Sequence, residues 1–211
     1  RRARRRVVAA RARARRRPAA RRRPGGARAA RARRDARAHR ERLQAGRGHA
    51  PRQVRVGYGR NGLACKGTRF EEGWTPLGTF RVNAVLSADR FAMDPSLVES
   101  SGKSEAYLRE NLFRNMSAID FKGDGETAEY GIGYISLTPV PPTPQPFRFN
   151  TYDGQFRWYS FAIHGTNDPS RVGQSVTGGC INVGQEVMAD LLKTVQLGDE
   201  VVVTSESPCV S

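Results

Sequence analysis

Two short segments mark the chemistry of this chain most clearly: residues 161–167, FAIHGTN, and residues 177–183, TGGCINV. The first is an apolar run that ends at His164. The second is a glycine-rich turn that presents Cys180, sixteen positions later. A thiol needs a base to become a thiolate near neutral pH, and imidazole is the side chain best suited to take that proton. The two segments therefore predict a cysteine nucleophile with a histidine base, and with it covalent acyl chemistry.

A further landmark lies earlier in the chain, at residues 75–82, TPLGTFRV. Together, this segment and the histidine and cysteine segments resemble the signature of the L,D-transpeptidase catalytic domain family (YkuD-like). That signature has Thr-Pro-x-Gly-x-Phe, then a His-Gly pair, then Ser/Thr-His-Gly-Cys. The resemblance covers about residues 53–204. One position departs from it, because Gly178 stands where the family usually has histidine. We favour a tolerated variant over a weakened enzyme, since every other motif position is kept.

The resemblance implies an acyltransferase that acts on peptidoglycan stem peptides through a thioester on Cys180. Such an enzyme serves cell-wall cross-linking or remodelling and cell shape. It also implies that the backbone carbonyl of Gly165 orients His164, so that no carboxylate is required. A member of the family is expected in the cell envelope or periplasm, to need no cofactor, and here to be a monomer.

Other residues are candidates for supporting roles at the site. Backbone N–H groups of the cysteine turn are candidate oxyanion donors: Gly178, Gly179 and Cys180. Candidate substrate contacts are Asn182, Thr177, Trp158 and Tyr152; Phe156 is a further candidate to line the donor cleft. Of Tyr152, Phe156 and Trp158, two are expected to pack in the core. Asp168 is expected to form a turn with Pro169 rather than to orient the histidine. The chain has no paired Cys-x-x-Cys or His-x-x-x-His spacing, so no metal site is predicted.

The charge of the chain is divided sharply. Residues 1–52 hold 22 of the 36 basic residues, all arginine, and only two acidic ones, which gives a net charge of +20. Residues 53–211 carry a net charge of −4, so the basic pI describes the first segment alone. Because the first segment consists almost entirely of Arg, Ala, Pro and Gly, it is predicted to be a disordered tail.

Three interpretations of the arginine-rich tail remain open. It contacts polyanions, it is a spacer or a flank ahead of a membrane segment, or it is an artefact of where the reading frame was started. No specific nucleic acid is expected as a partner, since no aromatic residues interleave the arginines. No signal peptide is visible, and no apolar run approaches the roughly 18 residues that span a bilayer. Either the export signal is missing from this sequence or the leader is unusual.

Residues 53–204 are predicted to form one catalytic domain, followed by a C-terminal tail at 205–211. Alternating or apolar runs predict strands at 53–58, 79–85, 130–137, 158–163 and 200–204. Fourth-residue apolar spacing predicts helices at 104–116 and 184–196. The proline-rich segment 139–146 is a surface loop, a lid beside the cleft, or a Pro-x-x-Pro ligand for a partner domain. The resulting fold class is β-rich mixed α/β, a single-domain sheet sandwich or partly closed barrel with two short helices.

The three cysteines allow one disulfide and one free thiol. If Cys180 is the nucleophile, Cys65 and Cys209 are the candidate pair, and the alternative that both are unpaired stays open. Four other functions are kept beside the transpeptidase. They are an L,D-carboxypeptidase with water as acceptor, a catalytically weakened peptidoglycan-binding module, a cysteine peptidase of unrelated fold, and a polyanion-binding protein that acts through its tail.

Overall fold

The computed structural model describes residues 6–9, 43–45, 54–67, 70–115, 129–142, 148–152 and 154–211. Its strands are β1 (Arg6–Ala9), β2 (Leu43–Ala45), β3 (Tyr58–Gly59), β4 (Gly62–Ala64), β5 (Trp74–Pro76), β6 (Gly78–Ser87), β7 (Arg90–Met93), β8 (Gly133–Val140), β9 (Arg148–Tyr152), β10 (Gln155–Tyr159), β11 (Phe161–His164), β12 (Ser175–Thr177), β13 (Ile181–Asn182) and β14 (Glu200–Val203). Its α-helices are α1 (Pro95–Ser100), α2 (Glu105–Asn115) and α3 (Gln185–Thr194), and a 3-10 turn covers Pro169–Arg171.

The predicted β-rich mixed α/β fold is confirmed. Within the described ranges there are three α-helices rather than the two predicted, and the main sheet does not close into a barrel. None of the helices described is long and apolar enough to cross a membrane. Strands β1 and β2 lie within the predicted tail, 1–52, and pair with the main sheet. The other residues of the tail lie outside the described residues, so the disorder predicted for them stays a prediction.

An eight-stranded sheet forms the centre of the fold, in the order β13-β11-β8-β6-β14-β1-β2, with β7 pairing with β6. Strand β8 runs antiparallel to both β6 and β11. Strand β13 extends the edge by pairing in parallel with β11, which sets His164 opposite Asn182. This parallel pair joins the two segments with which the sequence argument began.

The two faces of the sheet carry separate hydrophobic clusters. Alternate residues of β11 divide between them, so Phe161 and Ile163 point to one face and Ala162 to the other. Helix α3 covers the first face with Met188 and Leu191, while α2 covers the second with buried leucines. The β9–β10 hairpin also packs on the second face through its aromatic residues. His164 alternates with Ile163 and therefore lies on the second face.

The helix predicted at 104–116 is confirmed as α2. The Ser104 hydroxyl accepts a hydrogen bond from the Tyr107 N–H at 3.1 Å, which is the N-cap role expected of it. Leu108 and Leu112 are fully buried one turn apart, as the fourth-residue spacing requires. Met116 lies outside the described residues. The predicted helix at 184–196 is α3, which begins after Gly184.

Some local predictions were wrong. Of the strand predicted at 53–58, only Tyr58 belongs to a strand. Gly57 forms a single β-bridge with Asn182, and the described residues 54–56 are not in a strand. The run 158–163 is not one strand but the end of β10 and the start of β11, separated at Ser160. The predicted strand 130–137 begins at Gly133. Strand β14 confirms the last predicted strand. Of the proline segment, 143–147 lies outside the described residues.

Cys65 and Cys209 form a disulfide, which resolves the alternative left open by the sequence. The bridge joins residues 144 positions apart. Beside it, the Cys65 N–H donates to the Val210 carbonyl at 2.8 Å, and the Val210 N–H donates to the Leu63 carbonyl at 2.9 Å. The end of the chain is therefore tied to β4. Cys180 is the free cysteine of the described residues.

Candidate active site

His164 is the last residue of β11, and its ring is held in one orientation. The imidazole is buried, and Nδ1 lies 2.6 Å from the Gly165 carbonyl oxygen. A carbonyl oxygen can only accept, so Nδ1 carries the proton and donates it. The accepting lone pair is then on Nε2, and this is the tautomer in which Nε2 can act as a general base. The family resemblance implies this contact, and the part of Gly165 in catalysis stays a prediction.

Aromatic rings cover one side of the histidine. The Tyr130 ring stacks on the imidazole at a centroid distance of 4.1 Å, and Tyr134 stacks on Tyr130 at 5.6 Å. This enclosure removes the ring of His164 from water. Burial lowers the pKa of His164 from 6.5 to about 4, although the hydrogen bond to Gly165 acts in the opposite direction. The imidazole is therefore neutral at pH 7 and able to accept a proton.

Cys180 lies immediately before β13, on the neighbouring strand. Because Asn182 is opposite His164 and the strands run in parallel, Cys180 lies beside Ala162, on the same sheet face as the histidine. The thiol Sγ is 3.7 Å from the Ser160 carbonyl oxygen, to which it donates. Burial raises the pKa of the Cys180 thiol from 9.0 to about 12, partly offset by a hydrogen bond from the Ala162 backbone. The resting thiol is therefore protonated.

A second network surrounds the Ser160 end of the site. The Tyr134 hydroxyl and the Ser160 hydroxyl lie 2.7 Å apart, and the Ser136 hydroxyl donates to Ser160 Oγ at 3.0 Å. These groups are buried on the same face as the thiol. Burial raises the pKa of Tyr134 well above 10. The phenol is therefore neutral and supports the backbone at Ser160, against which the thiol rests.

The turn before Cys180 is closed by its own threonine. The Thr177 hydroxyl donates to the Cys180 carbonyl at 2.6 Å and accepts from the Gly179 N–H at 3.1 Å. Gly179 has a φ of +129°, and a Cβ there would lie 2.8 Å from both the Phe70 ring and the Trp74 carbonyl oxygen. Only glycine fits such a position. Thr177 is buried, and its bonds favour holding this turn over the predicted contact with substrate.

The threonine of the earlier landmark, Thr75, holds the same turn from outside. Its hydroxyl donates to the Gly179 carbonyl at 2.7 Å and accepts from the Gly59 N–H at 2.8 Å. The Gly73 N–H donates to the Gly178 carbonyl at 2.7 Å. This role of Thr75 was not predicted. The occurrence of segments 75–82 and 177–183 together in the family signature was a signal that the two segments are in contact.

Residues 35–203 match the family model described as the L,D-transpeptidase catalytic domain (YkuD). The chain belongs to the L,D-transpeptidase family. This family acts on peptidoglycan and is usually found in the cell envelope. No curated protein is similar enough to this sequence to match it.

Several solved L,D-transpeptidases are similar to this family member. L,D-transpeptidase 3 from Mycobacterium tuberculosis, in complex with a faropenem-derived adduct, is 14% identical, with 79% of this chain and 56% of that chain covered and a TM-score of 0.38. L,D-transpeptidase 1 from Mycobacterium tuberculosis is 16% identical, with 79% and 56% covered and a TM-score of 0.32. L,D-transpeptidase from Mycobacterium smegmatis is 18% identical, with 78% and 54% covered and a TM-score of 0.32. The chain described here spans little more than half the length of each.

Two predicted site residues, Gly178 and Asn182, belong to the cysteine turn and to the strand that follows it. Asn182 is buried, and within the described part of the chain neither its Nδ2 nor its Oδ1 has a hydrogen-bond partner. The main chain of Asn182 pairs with Gly57 in both directions, at 2.9 and 3.0 Å. Gly178 is exposed, and a Cβ there would meet nothing closer than 3.9 Å. The departure from the family pattern at Gly178 therefore leaves open space rather than a collapsed turn.

The remaining predicted residues lie in three different places of the fold. Trp158 is buried and stacks on Phe149 at 5.5 Å, as part of the core cluster. Tyr152 ends β9, and its side chain lies outside the described residues. Asp168 forms the predicted turn, with Oδ1 accepting from the Ser170 N–H at 2.9 Å. Over the described residues, no three His, Cys, Asp or Glu side chains are grouped to hold a metal ion.

Proposed function

We propose that this chain is a cysteine acyltransferase that transfers the acyl group of peptidoglycan stem peptides, in the cell envelope. One observation carries the proposal. His164 and Cys180 project from paired parallel strands onto the same sheet face, and the hydrogen bond to Gly165 leaves the histidine Nε2 free to accept a proton. Family membership supplies the substrate class.

In the first half of the reaction, Sγ of Cys180 attacks the carbonyl carbon of an L-residue in the donor stem. Nε2 of His164 takes the thiol proton, and the sulfur–carbon bond forms. The carbon–nitrogen bond then breaks as the histidine returns that proton to the departing amine. The products are a thioester on Cys180 and the released D-residue. Since the thiol is protonated at rest, proton transfer accompanies attack.

In the second half, the amine of a neighbouring stem attacks the thioester carbonyl. His164 takes a proton from the attacking nitrogen and returns it to the departing thiolate sulfur, which restores the resting pair. The new amide cross-links the two stems. Water in place of the amine gives a free carboxylate, so the same site then acts as an L,D-carboxypeptidase.

Each tetrahedral intermediate needs hydrogen-bond donors for its oxyanion. The candidates are the backbone N–H groups of Gly178, Gly179 and Cys180, and the Gly179 N–H already donates to Thr177. We therefore assign the oxyanion to the N–H groups of Gly178 and Cys180. Losing one such donor costs about 3 kcal/mol in comparable enzymes, which is why the closed geometry of this turn matters to the rate.

A peptidoglycan-binding module with weakened catalysis is the second candidate. The raised pKa of Cys180 favours it, because a thiol with a pKa of about 12 holds almost no thiolate at pH 7. Such a module binds stem peptides without releasing the terminal residue. The neutral histidine, which lies on the same sheet face as the thiol, favours the enzyme instead.

The experiment incubates the full chain with a tetrapeptide stem whose last bond joins an L-residue to a D-residue, together with an acceptor stem. Mass spectrometry follows the released D-residue and the cross-linked product. We expect both products from the wild type and neither from Cys180→Ala or His164→Gln. A stem ending in the L-enantiomer is the matched control and should be inert. Stem binding without release identifies the module, and release by Cys180→Ala would overturn the mechanism.

A further inference from the structure

A cavity of about 620 Å³ lies beside the cysteine, between the β9–β10 hairpin and helix α1. Ser160 is common to the cavity and to the surroundings of the cysteine. It lines the cavity, and its carbonyl oxygen accepts a hydrogen bond from the Cys180 thiol at 3.7 Å. Ser160 therefore links the wall of the cavity to the backbone that the thiol contacts. The inference that follows rests on the proposed function.

The chemistry of the cavity wall is uncharged. Of the described residues that line it, none has a charged side chain. Hydroxyl and amide groups alternate there with aromatic rings, among them Phe149 and Trp158, which stack on each other. A carboxylate or ammonium entering this space would lose water without gaining a counter-charge. The cavity thus favours a neutral polar group.

Two asparagines in the wall have acceptors that the protein does not satisfy. The Oδ1 atoms of Asn83 and Asn150 are shielded from solvent, and neither has a hydrogen-bond partner among the residues that the structure describes. The terminal torsion of asparagine has a broad range, so rotation about it can turn each amide oxygen toward a group in the cavity. A buried acceptor without a partner is costly, and a ligand that donates a hydrogen bond removes that cost.

A local irregularity of the sheet places the first of these asparagines. The pairing of β6 with β8 shifts register between Val82 and Ala84, so Asn83 is the extra residue of a β-bulge. Its carbonyl is used by the Asp94 N–H at 2.8 Å. Bulges re-aim side chains and are common next to active sites. Asn150 faces the same cavity from the middle of β9, opposite Arg157.

We propose that this cavity is a binding subsite for an uncharged amide of the donor peptide, and that Asn83 and Asn150 select it by accepting its N–H groups. A carboxylate at the same position has no N–H to donate to these oxygens, and it would lie in an uncharged cavity without a counter-charge. The two asparagines are specificity-determining residues and take no part in the bond changes at Cys180.

The test measures binding to the full chain carrying Cys180→Ala, so that it does not depend on turnover. The probes are N-acetylalanine amide and N-acetylalanine, which differ only in carboxamide and carboxylate. Amide side-chain resonances in NMR titrations report the position and affinity of binding. We expect the carboxamide to bind about tenfold more tightly and to shift the resonances of Asn83 and Asn150.

The variants Asn83→Leu and Asn150→Leu keep the shape of the side chain and remove the acceptor. Each should weaken carboxamide binding about threefold to tenfold. The melting temperature of each variant is measured beside its affinity, so that loss of the fold is distinguished from loss of binding. Asn111→Leu is the matched control: the Asn111 amide already donates to Tyr107 on the surface of α2, so binding should not change.

Equal or tighter binding of the carboxylate would overturn the proposal, as would resonance shifts away from the cavity. Preference for N-acetylglucosamine over the carboxamide would assign the cavity to glycan and also overturn it. Acylation of the wild type by p-nitrophenyl acetate, which is too small to need the cavity, tests the nucleophile separately. Loss of that acylation would refute the proposed function, while its presence beside failed carboxamide binding would refute this subsite alone.

Discussion

Acidification should destabilise the fold through one residue, His164. The folded protein holds this imidazole at a pKa of about 4, because burial among Tyr130, Tyr134 and the strand disfavours its charged form. In the unfolded chain the same group titrates near 6.5. Between these values the unfolded state binds a proton that the folded state does not, so stability falls as pH falls.

The magnitude follows from the two pKa values. Each unit of difference is worth about 1.4 kcal/mol, and the contribution is complete above pH 6.5 and lost as pH falls toward 4. The wild type should therefore lose about 3 kcal/mol between pH 7 and pH 4 through His164 alone. For a chain of this length, that corresponds to a fall of about 6–12 °C in melting temperature.

The assay is urea unfolding at pH 7, 5.5 and 4, for the wild type and for His164→Gln. The glutamine fills similar space and does not titrate, so the difference between the two pH dependences isolates the histidine. NMR titration of the histidine ring signals gives the pKa directly, and the variant identifies which signal belongs to His164. Parallel pH dependences, or a ring that titrates near 6.5, would refute the argument that burial keeps this base neutral.

Three more predictions concern the cysteines and the turn. Iodoacetamide should alkylate Cys180 slowly at pH 7, because burial raises the pKa of the thiol. The rate should rise about tenfold per pH unit up to pH 10, beyond the pH at which the rate for a free thiol stops rising. A rate that levels off as early as that of a free thiol would contradict the raised pKa. The pair Cys65→Ser and Cys209→Ser should lower the free energy of unfolding in urea by up to about 5 kcal/mol, since the bridge closes a loop across 144 positions; no loss would mean that the bond adds nothing. Gly179→Ala should cost about 2 kcal/mol and most of the acylation rate, whereas Gly178→Ala, which points into open space, should keep the wild-type melting temperature; equal effects would contradict the assigned geometry of the turn.

The central parts of the fold were predictable because their signals are local. The alternation at 79–85 and the apolar residues before His164 are typical of buried strands, and both became strands of the main sheet. Helix α2 carried both a cap at Ser104 and a buried leucine pair. In each case propensity, burial pattern and capping agreed, which is when a short sequence decides its structure.

The missed elements had weaker or conflicting signals. Helix α1 has an N-cap at Asp94 and a proline at its start, but it buries no residue, so it shows no periodicity. The β9–β10 hairpin was missed although Asp153-Gly154, a strong hairpin signal, separates its strands. The apolar run 158–163 continues across the break at Ser160, so the end of this hairpin and β11 were predicted as one strand.

The parts of the site that sequence could not predict depend on distant residues. The bonds from Thr75 to the cysteine turn span 104 positions, and nothing near Thr75 shows them. The register shift at Asn83 arises from how β6 meets β8, not from the residue itself. By contrast, the pairing of Gly165 with His164 is between neighbours in the chain, and the family resemblance implied it.

The most direct test of the central claim is the intact mass of the full chain after incubation with the tetrapeptide donor and no acceptor, beside Cys180→Ala. The account predicts a covalent adduct on the wild type only, with a mass increase equal to the mass of the donor minus that of the released free D-amino acid, mapped by digestion to the peptide that contains Cys180. A folded wild-type protein that gains no adduct between pH 5 and pH 8, or an equal adduct on the alanine variant, would contradict it.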